Sequence, residues 1–446
     1  MKLALCKTGT SAIILLSFVF MGNTNAFAQN EAQTLHQLNT LLINTVMDDV
    51  YNPPISSRIY VYPNIAFYEC IRRGDTTLTT MLGKLNGLKK LPEPTTTTNN
   101  FIAACISFSY VGQSLVGSEY KIEDWRKAFS DSLLQHADPM LVNNSIKYGH
   151  LVADSIIAWT KKDNYLPSRG MPRFVLSNKS GTWQPTPEDY SQAIEPHWNS
   201  IRPITLSSPA QFSPKEKLRY DPNKNSTFYK TMMEVYKIVN TLDSSKIATA
   251  WYWDDNPNVS VVKGHLNYFI HKVSPGGHWL LIAQQACIKN NEPVTRASLV
   301  YTLTGIALFD AFIACWDEKF KTNLIRPITV INFLIDKNWK PLIQTPPFPE
   351  FTSGHAVISN AAATVLTALF GDNFEFTDAT EIPFGNKTRH FASFNAAAKE
   401  STMSRVYGGI HYPETARISI GQGKAIGNYI IKKISPQGIH LVNRSW

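Results

Sequence analysis

Long hydrophobic runs are nearly missing from this 446-residue sequence. After the first 28 residues no stretch offers about 18 uninterrupted apolar positions, the minimum for a conventional membrane-spanning helix. Cysteine is scarce as well. There are five in all, and none forms a CxxC pair, which excludes a thiol-redox couple or a zinc-finger ligand set. Basic residues outnumber acidic ones, yet no run of five or six occurs, so the footprint of a nucleic-acid-binding protein is absent. Strict alternation of apolar and polar residues, the mark of half-buried strands, is rare. What remains is ordinary globular composition, 43% hydrophobic and 17% charged, with length for one large core or two smaller ones.

The first 28 residues stand apart. Lys2 and Lys7 precede an apolar run from Ala12 to Met21, and Ala26-Phe27-Ala28 follows it. This is the pattern of a secretory leader cleaved near Ala28, and it places the mature chain in the periplasm or outside the cell as a soluble protein. Cys6 lies ahead of the apolar run, where it is no acylation site. Without the leader's two lysines, 41 basic residues face 34 acidic ones, a net charge of +7 that mildly favours anionic partners. Cys70, Cys105, Cys287 and Cys315 remain, each among apolar neighbours, and are expected as buried free thiols. Export would permit disulfides, whose pairing the spacing does not reveal.

The dominant period is helical. Leu35, Leu38, Leu41, Leu42 and Val46 share one face. Similar patterns cover 56–73 (with Pro63 as a kink), 145–163, 230–242, 279–291, 295–320, 353–370 and 414–435. The expected fold is all-α, two packed helical bundles. Residues 164–226 interrupt the rhythm with Pro, Ser and Trp, too long for a simple loop and expected as a structured connection over a surface. The division that follows is leader 1–28, an N-terminal bundle with this connection over 29–226, and a C-terminal helical domain over 227–446. Residues 91–100, LPEPTTTTNN, form an exposed low-complexity loop.

Three short constellations in the second half carry chemistry. Lys319 precedes Arg326 by seven residues, about two helical turns, so both cations are expected on one face, with Pro327 disturbing the helix there. Ser353, Gly354 and His355 open an apolar helix. Free backbone amides at such a start can hold an anion, although a plain cap by Ser353 or Thr352 is the favoured reading of this segment alone. Arg405 precedes His411 by six residues, with Gly408 and Gly409 between, and Pro413-Glu414 opens the last helix. Together they supply three cations, neutral donors and two titratable histidines. The nearby sequence has no matching trio of acids, so a tetrahedral oxoanion is the expected counter-charge, and arginine suits bidentate contact with it.

K-x6-RP, then SGH, then SR-x5-H, in that order, resembles the superfamily of type 2 phosphatidic acid phosphatases (PAP2) and vanadium-dependent haloperoxidases. Segments 53–69 and 252–279 are similar to segments of its soluble, exported haloperoxidase-like branch. The resemblance implies a fold of two helical bundles and a set of roles. His411 would bond vanadium, or attack phosphorus in a phosphatase, and His355 would be the acid–base group. Lys319, Arg326, Ser353, Gly354 and Arg405 would hold the oxoanion oxygens, with Lys319 also assisting catalysis. Trp316 and Phe348 would flank a halide site, and Asp255, or its neighbour Asp254, would brace an arginine. Two positions depart from the pattern: Thr352 stands where proline is usual, and Thr415 stands where the phosphatases have an aspartate that orients the last histidine. His411 must then be braced by Glu414 or by a distant group.

The implied activity is a haloperoxidase that oxidises halide with hydrogen peroxide at a His411-linked vanadate. The alternative is an exported acid phosphatase, without cofactor, that hydrolyses phosphate monoesters through a phosphohistidine at the same site. A third reading, a non-catalytic binding protein on the same scaffold, rests only on Thr352 and Thr415. His265, His271 and His278 lie close in sequence, but spacings of six and seven make a poor metal triad. His278 reads as part of a structural Pro-Gly-Gly-His turn. Oligomeric state leaves no trace in the sequence.

Overall fold

A computed structural model describes residues 24–257, 259–263, 266–269 and 271–434. The expected leader lies outside them except for its last five positions, and His265 lies outside them as well. Fourteen α-helices are present: α1 Thr24–Asp48, α2 Pro53–Ile71, α3 Asn100–Gln113, α4 Glu119–His136, α5 Pro139–Thr160, α6 Tyr165–Arg169 and α7 Thr227–Asn240, then α8 Ser244–Tyr252, α9 Pro275–Lys289, α10 Val294–Thr322, α11 Pro327–Leu334, α12 Gly354–Phe370, α13 Phe394–Tyr407 and α14 Pro413–Ile434. Two short antiparallel pairs, β1 Ser260–Lys263 with β2 Leu266–Phe269 and β3 Phe376–Asp378 with β4 Arg389–Phe391, are the strands among the described residues. The fold is all-α, as the periodicity indicates.

Local chemistry sets half of the helix starts. The side chains of Asn52, Asn99, Asp138, Ser226, Asp243, Ser274 and Ser393 each accept a hydrogen bond from a first-turn amide of the helix that follows. Prolines occupy the first turn of α2, α5 and α9, where a missing N–H costs nothing. Helix α2 runs through Pro63 to Ile71. Cys70, Cys105, Cys287 and Cys315 are buried free thiols.

Helix α10 is the axis. It packs on α1, α2 and α9 on one side and on α12 and α14 on the other, and one continuous apolar core runs through both halves of the chain. By length and composition α10 is apolar enough to cross a membrane, and its most apolar window is wholly buried inside the protein. The connection over 164–226 is fastened to this core. The buried Asp310 carboxylate of α10 accepts the amides of Ile204, Thr205 and Leu206. Trp183 N–H donates to the Asn323 carbonyl, and Ile194 N–H to that of Pro347.

Helices α12 and α14 approach closely because α14 offers glycine at the crossing. A Cβ at Gly423 would lie 2.3 Å from the Val357 carbonyl oxygen, and one at Gly427 would lie 2.8 Å from that of Ala361. Backbone of α12 therefore sits directly against backbone of α14. Gly423→Ala is expected to destabilise the fold by about 1–3 kcal/mol, read as a lower midpoint in denaturant unfolding with the slope unchanged.

Candidate active site

Four chain segments converge at one end of the α10–α12–α14 core. Lys319 projects from the last turns of α10. That helix stops at Thr322, where Asn323 takes a left-handed conformation (φ 49°). Arg326 therefore stands outside α10, as the residue that starts α11. The expectation that both cations share one helical face is corrected: a break in the chain, not two turns of helix, turns Arg326 to the site. Residues 346–353 loop beneath them into α12, and Arg405 comes from the last turn of α13. Gly409 follows with φ 77°, where a Cβ would lie 3.1 Å from Pro341 Cα. A side chain there would be strained and crowded, so glycine makes the turn that brings His411 back to the site.

His411 is braced by a residue that the sequence did not single out. Its Nδ1 lies 2.8 Å from Glu350 Oε1, which also accepts the Tyr412 amide at 3.1 Å. Thr415 Oγ1 donates to the other carboxylate oxygen at 2.8 Å. Thus the distant group is Glu350, and Thr415 supports it. Glu414 instead pairs with Arg417 at the surface. On the far side of the ring, Arg326 Nη1 lies 3.3 Å from Nε2. A guanidinium can only donate, so Nε2 must be the acceptor and Nδ1 carries the proton to Glu350. Burial, aided by Arg326, Lys319 and Arg405, holds His411 well below the ordinary imidazole range. The ring is therefore neutral, with its Nε2 lone pair facing the cations.

The cations are buried, Lys319 and Arg326 completely. Lys319 Nζ donates to the carbonyls of Pro349 (3.0 Å), Glu350 (3.1 Å) and Thr352 (2.5 Å), so all three of its protons are committed. Burial, with Arg326 nearby, pulls it down to about 7. Arg326 donates to the carbonyls of Phe348 and Ile410 and, at 3.5 Å, to that of Pro346, which leaves one Nη2 proton uncommitted. Arg405 donates to the Trp253 carbonyl at 2.7 Å through Nη1 alone.

Acids are present after all. Glu350 touches His411, Asp254 Oδ1 lies 3.6 Å from Arg405 Nη2, and Asp255 Oδ2 lies 3.8 Å from His355 Nε2. They come from segments far apart in the chain, which corrects the expectation of an acid-poor neighbourhood. The arginine partner is Asp254. Asp255 faces the two histidines, His278 and His355, instead.

Donors without partners carry the site's chemistry. Arg405 Nε and Nη2 and Ser353 Oγ are buried and have no hydrogen-bond partner, Asp254 facing Nη2 only at 3.6 Å, and His355 Nε2 is a buried nitrogen without one. Ser353 stands at the N-cap of α12, yet its hydroxyl makes no capping bond and its amide donates to Ser419 Oγ. Thr352 does not cap either. Its hydroxyl donates to Gln422 of α14 and its carbonyl receives Lys319. The plain-cap reading is thereby corrected. Unpaired buried donors cost about 1–3 kcal/mol each. A bound oxoanion would satisfy them, together with the free first-turn amides that begin at Gly354. Vanadate and phosphate both fit this donor set.

Next to these donors is a small cavity of about 30 Å³, lined by Pro53, Phe312, Trp316, Phe348, His355 and His411, among others. Trp316 and Phe348 pack 4.9 Å apart between ring centroids, and Lys319 Nζ lies 4.8 Å from the Phe348 centroid. His355 is held well below the ordinary imidazole range by burial and then by Arg405 and His278, and is neutral. The poor case for a histidine triad stays poor: His271 is exposed whereas His278 is buried between Asp255 and Asp378, and His265 lies outside the described residues.

The profile of the VCPO second helical-bundle domain matches residues 299–437. A structure described as the first bacterial vanadium-dependent iodoperoxidase is similar at 42% identity, covering 90% of this chain and 96% of its own, with a TM-score of 0.86. Bacterial vanadium-dependent chloroperoxidase in holo and apo forms is similar in fold at 15% and 14% identity. Their TM-scores are 0.63 and 0.62, with 86% of this chain covered in each and 93% and 95% of theirs. A comparison with functionally curated proteins finds no match.

Glu350→Gln keeps the shape but removes the charged acceptor of the Nδ1 proton. Turnover is expected to fall roughly 10–100-fold, as when a group orienting a ligating histidine is lost, in a protein that still folds by circular dichroism. Thr415→Val should cost less, about 1 kcal/mol of stability, read by thermal unfolding.

Proposed function

Because this chain belongs to the vanadium-dependent haloperoxidase and PAP2-like superfamily, whose haloperoxidases are oxidoreductases, we propose that it is a vanadate-dependent haloperoxidase that oxidises iodide with hydrogen peroxide. The observation that carries this is the cluster of donors without a hydrogen-bond partner, Arg405 Nε and Nη2 with Ser353 Oγ, beside the Nε2 lone pair of His411, which faces Arg326 Nη1 at 3.3 Å. His411 would bond the vanadium through Nε2, and Arg405, Ser353, the Gly354 amide and Arg326 would hold the oxygens. Vanadate, when bound, would supply a Lewis acid that activates peroxide without changing oxidation state.

The chain's own residues supply the rest. His355 is neutral with an unpartnered Nε2, so it can take a proton from hydrogen peroxide. Lys319 contributes charge rather than a direct hydrogen bond, since carbonyls hold its protons. Trp316 and Phe348 give the cavity an aromatic wall that suits a large, weakly hydrated halide. This and the similarity to an iodoperoxidase favour iodide. We also propose that the protein is exported, on the strength of the leader pattern in residues 1–28.

Phosphate-ester hydrolysis remains the second reading, and one contact favours it. The Glu350 carboxylate orients His411 as the usual aspartate would, so Thr415 is no obstacle to attack by Nε2 on phosphorus.

Purified mature protein loaded with vanadate should form triiodide from iodide and peroxide and leave p-nitrophenyl phosphate largely intact. No triiodide under saturating vanadate, with ester hydrolysis present, reverses the assignment. His411→Ala should abolish either activity, and Arg405→Ala should weaken oxoanion binding by about 2–5 kcal/mol, measured by titration calorimetry with phosphate. Proton linkage gives a further check. Lys319 sits at about 7 without an anion, and a nearby dianion raises it. Phosphate binding at pH 8 should therefore take up protons, seen as a dependence of the binding enthalpy on the buffer's ionisation enthalpy.

A further inference from the structure

His278 lies in the first turn of α9, is completely buried, and takes no part in the oxoanion cradle. Its Nδ1 lies 2.9 Å from Asp255 Oδ1 and its Nε2 lies 2.7 Å from Asp378 Oδ2. The ring is stacked on Trp253 at 4.6 Å and 15°. The carbonyl of that same tryptophan receives Arg405. Asp378 belongs to β3 and is itself anchored, accepting the Thr380 amide at 3.0 Å. The other oxygen of Asp255 stands 3.8 Å from His355 Nε2, the unpartnered atom assigned above to proton transfer.

Two carboxylates on opposite edges of one imidazole require a proton on each nitrogen, so the ring is a cation that bridges them. This explains the burial of two acids with one histidine at no uncompensated cost beyond a single negative charge. It also leaves Asp255 no freedom to rotate. Oδ1 is tied to His278, and Oδ2 must face His355.

We propose that His278 is a positioning residue for His355: by clamping Asp255 against Asp378 it holds Asp255 Oδ2 toward His355 Nε2 and offsets that carboxylate's charge. The proposal rests on the reading of His355 as the proton acceptor. The groups facing His355 are Asp255 from the segment after α8, His278 from α9, Lys319 from α10, Arg405 from α13 and His411 before α14. Around His278 they are Asp255, Asp378 and, just after β3, Glu381, with Lys272 held on the neighbouring Asp254. Among these, the charge of His278 opposes protonation of His355 and the charge of Asp255 favours it.

Two variants therefore act with opposite sign. His278→Gln removes the cation and leaves Asp255 uncompensated, so His355 should bind its proton more readily. Asp255→Asn removes the facing anion, so His355 should bind it less readily. In vanadium-free protein, the His355 ring resonances, followed by NMR with isotope-labelled histidine, should titrate about one pH unit higher in His278→Gln and lower in Asp255→Asn. In vanadate-loaded protein the acidic limb of the iodide-oxidation profile should move the same way in each variant. Displacements in one common direction, or a loss of rate with an unmoved His355 titration, would make His278 a packing residue only and overturn the proposal. Asp255→Asn changes charge with little change in size, so it carries the test alone if His278→Gln does not fold. The NMR titration needs no turnover: opposite shifts in a protein without peroxidase activity uphold the clamp while refuting the haloperoxidase reading.

Discussion

Three cationic side chains lie out of water at the centre of this protein, and much of the surrounding backbone is shaped by the need to satisfy them. Lys319 alone gathers the carbonyls of Pro349, Glu350 and Thr352, and Arg326 gathers those of Phe348 and Ile410. Segment 346–353 is therefore not a passive link between helices. It wraps two buried cations and, in doing so, delivers Glu350 to His411 and Ser353 to the front of α12. Cations held by neutral carbonyls keep their net charge, which is what an oxoanion site requires.

Rigidity comes from behind the cradle. Glycines on α14 let the α12 backbone press against it, and Gln422 and Ser419 of α14 bind Thr352 and Ser353 directly. The front of α12 is thus fixed by α14 instead of by its own cap. This frees the Ser353 hydroxyl, whereas Ser226, Ser274 and Ser393 spend theirs on capping. The Pro-rich connection adds an outer brace: Ile194 holds both the Pro347 carbonyl and the Trp316 indole.

The two histidines differ because their environments differ. His411 has a carboxylate behind Nδ1 and an arginine before Nε2, which settles its tautomer. His355 has an unpartnered nitrogen and a carboxylate just beyond hydrogen-bond reach. Under the proposed function, one presents a lone pair and the other accepts a proton. Both are neutral for the same reasons, burial and the surrounding positive charge.

Helical period, the capping residues and the motif blocks around Lys319, Ser353 and His411 were all legible in the sequence, because each is a matter of spacing within one segment. The fold class followed from them, as did the candidates for the cradle. Glu350 and the clasp of His278 were not legible, and the choice between Asp254 and Asp255 as the partner of Arg405 stayed open. Glu350 lies 61 positions from His411, Asp254 lies 151 from Arg405, and Asp378 lies 100 from His278. No local pattern relates such pairs. Spacing also gave the wrong reason for Lys319 and Arg326, since a helix stop at Asn323 lies between them. What the sequence determined by itself was which groups could hold an oxoanion. Which of those groups still have free protons, and which acid orients which histidine, was decided only when distant segments packed together, because a hydrogen bond depends on distance in space and not along the chain.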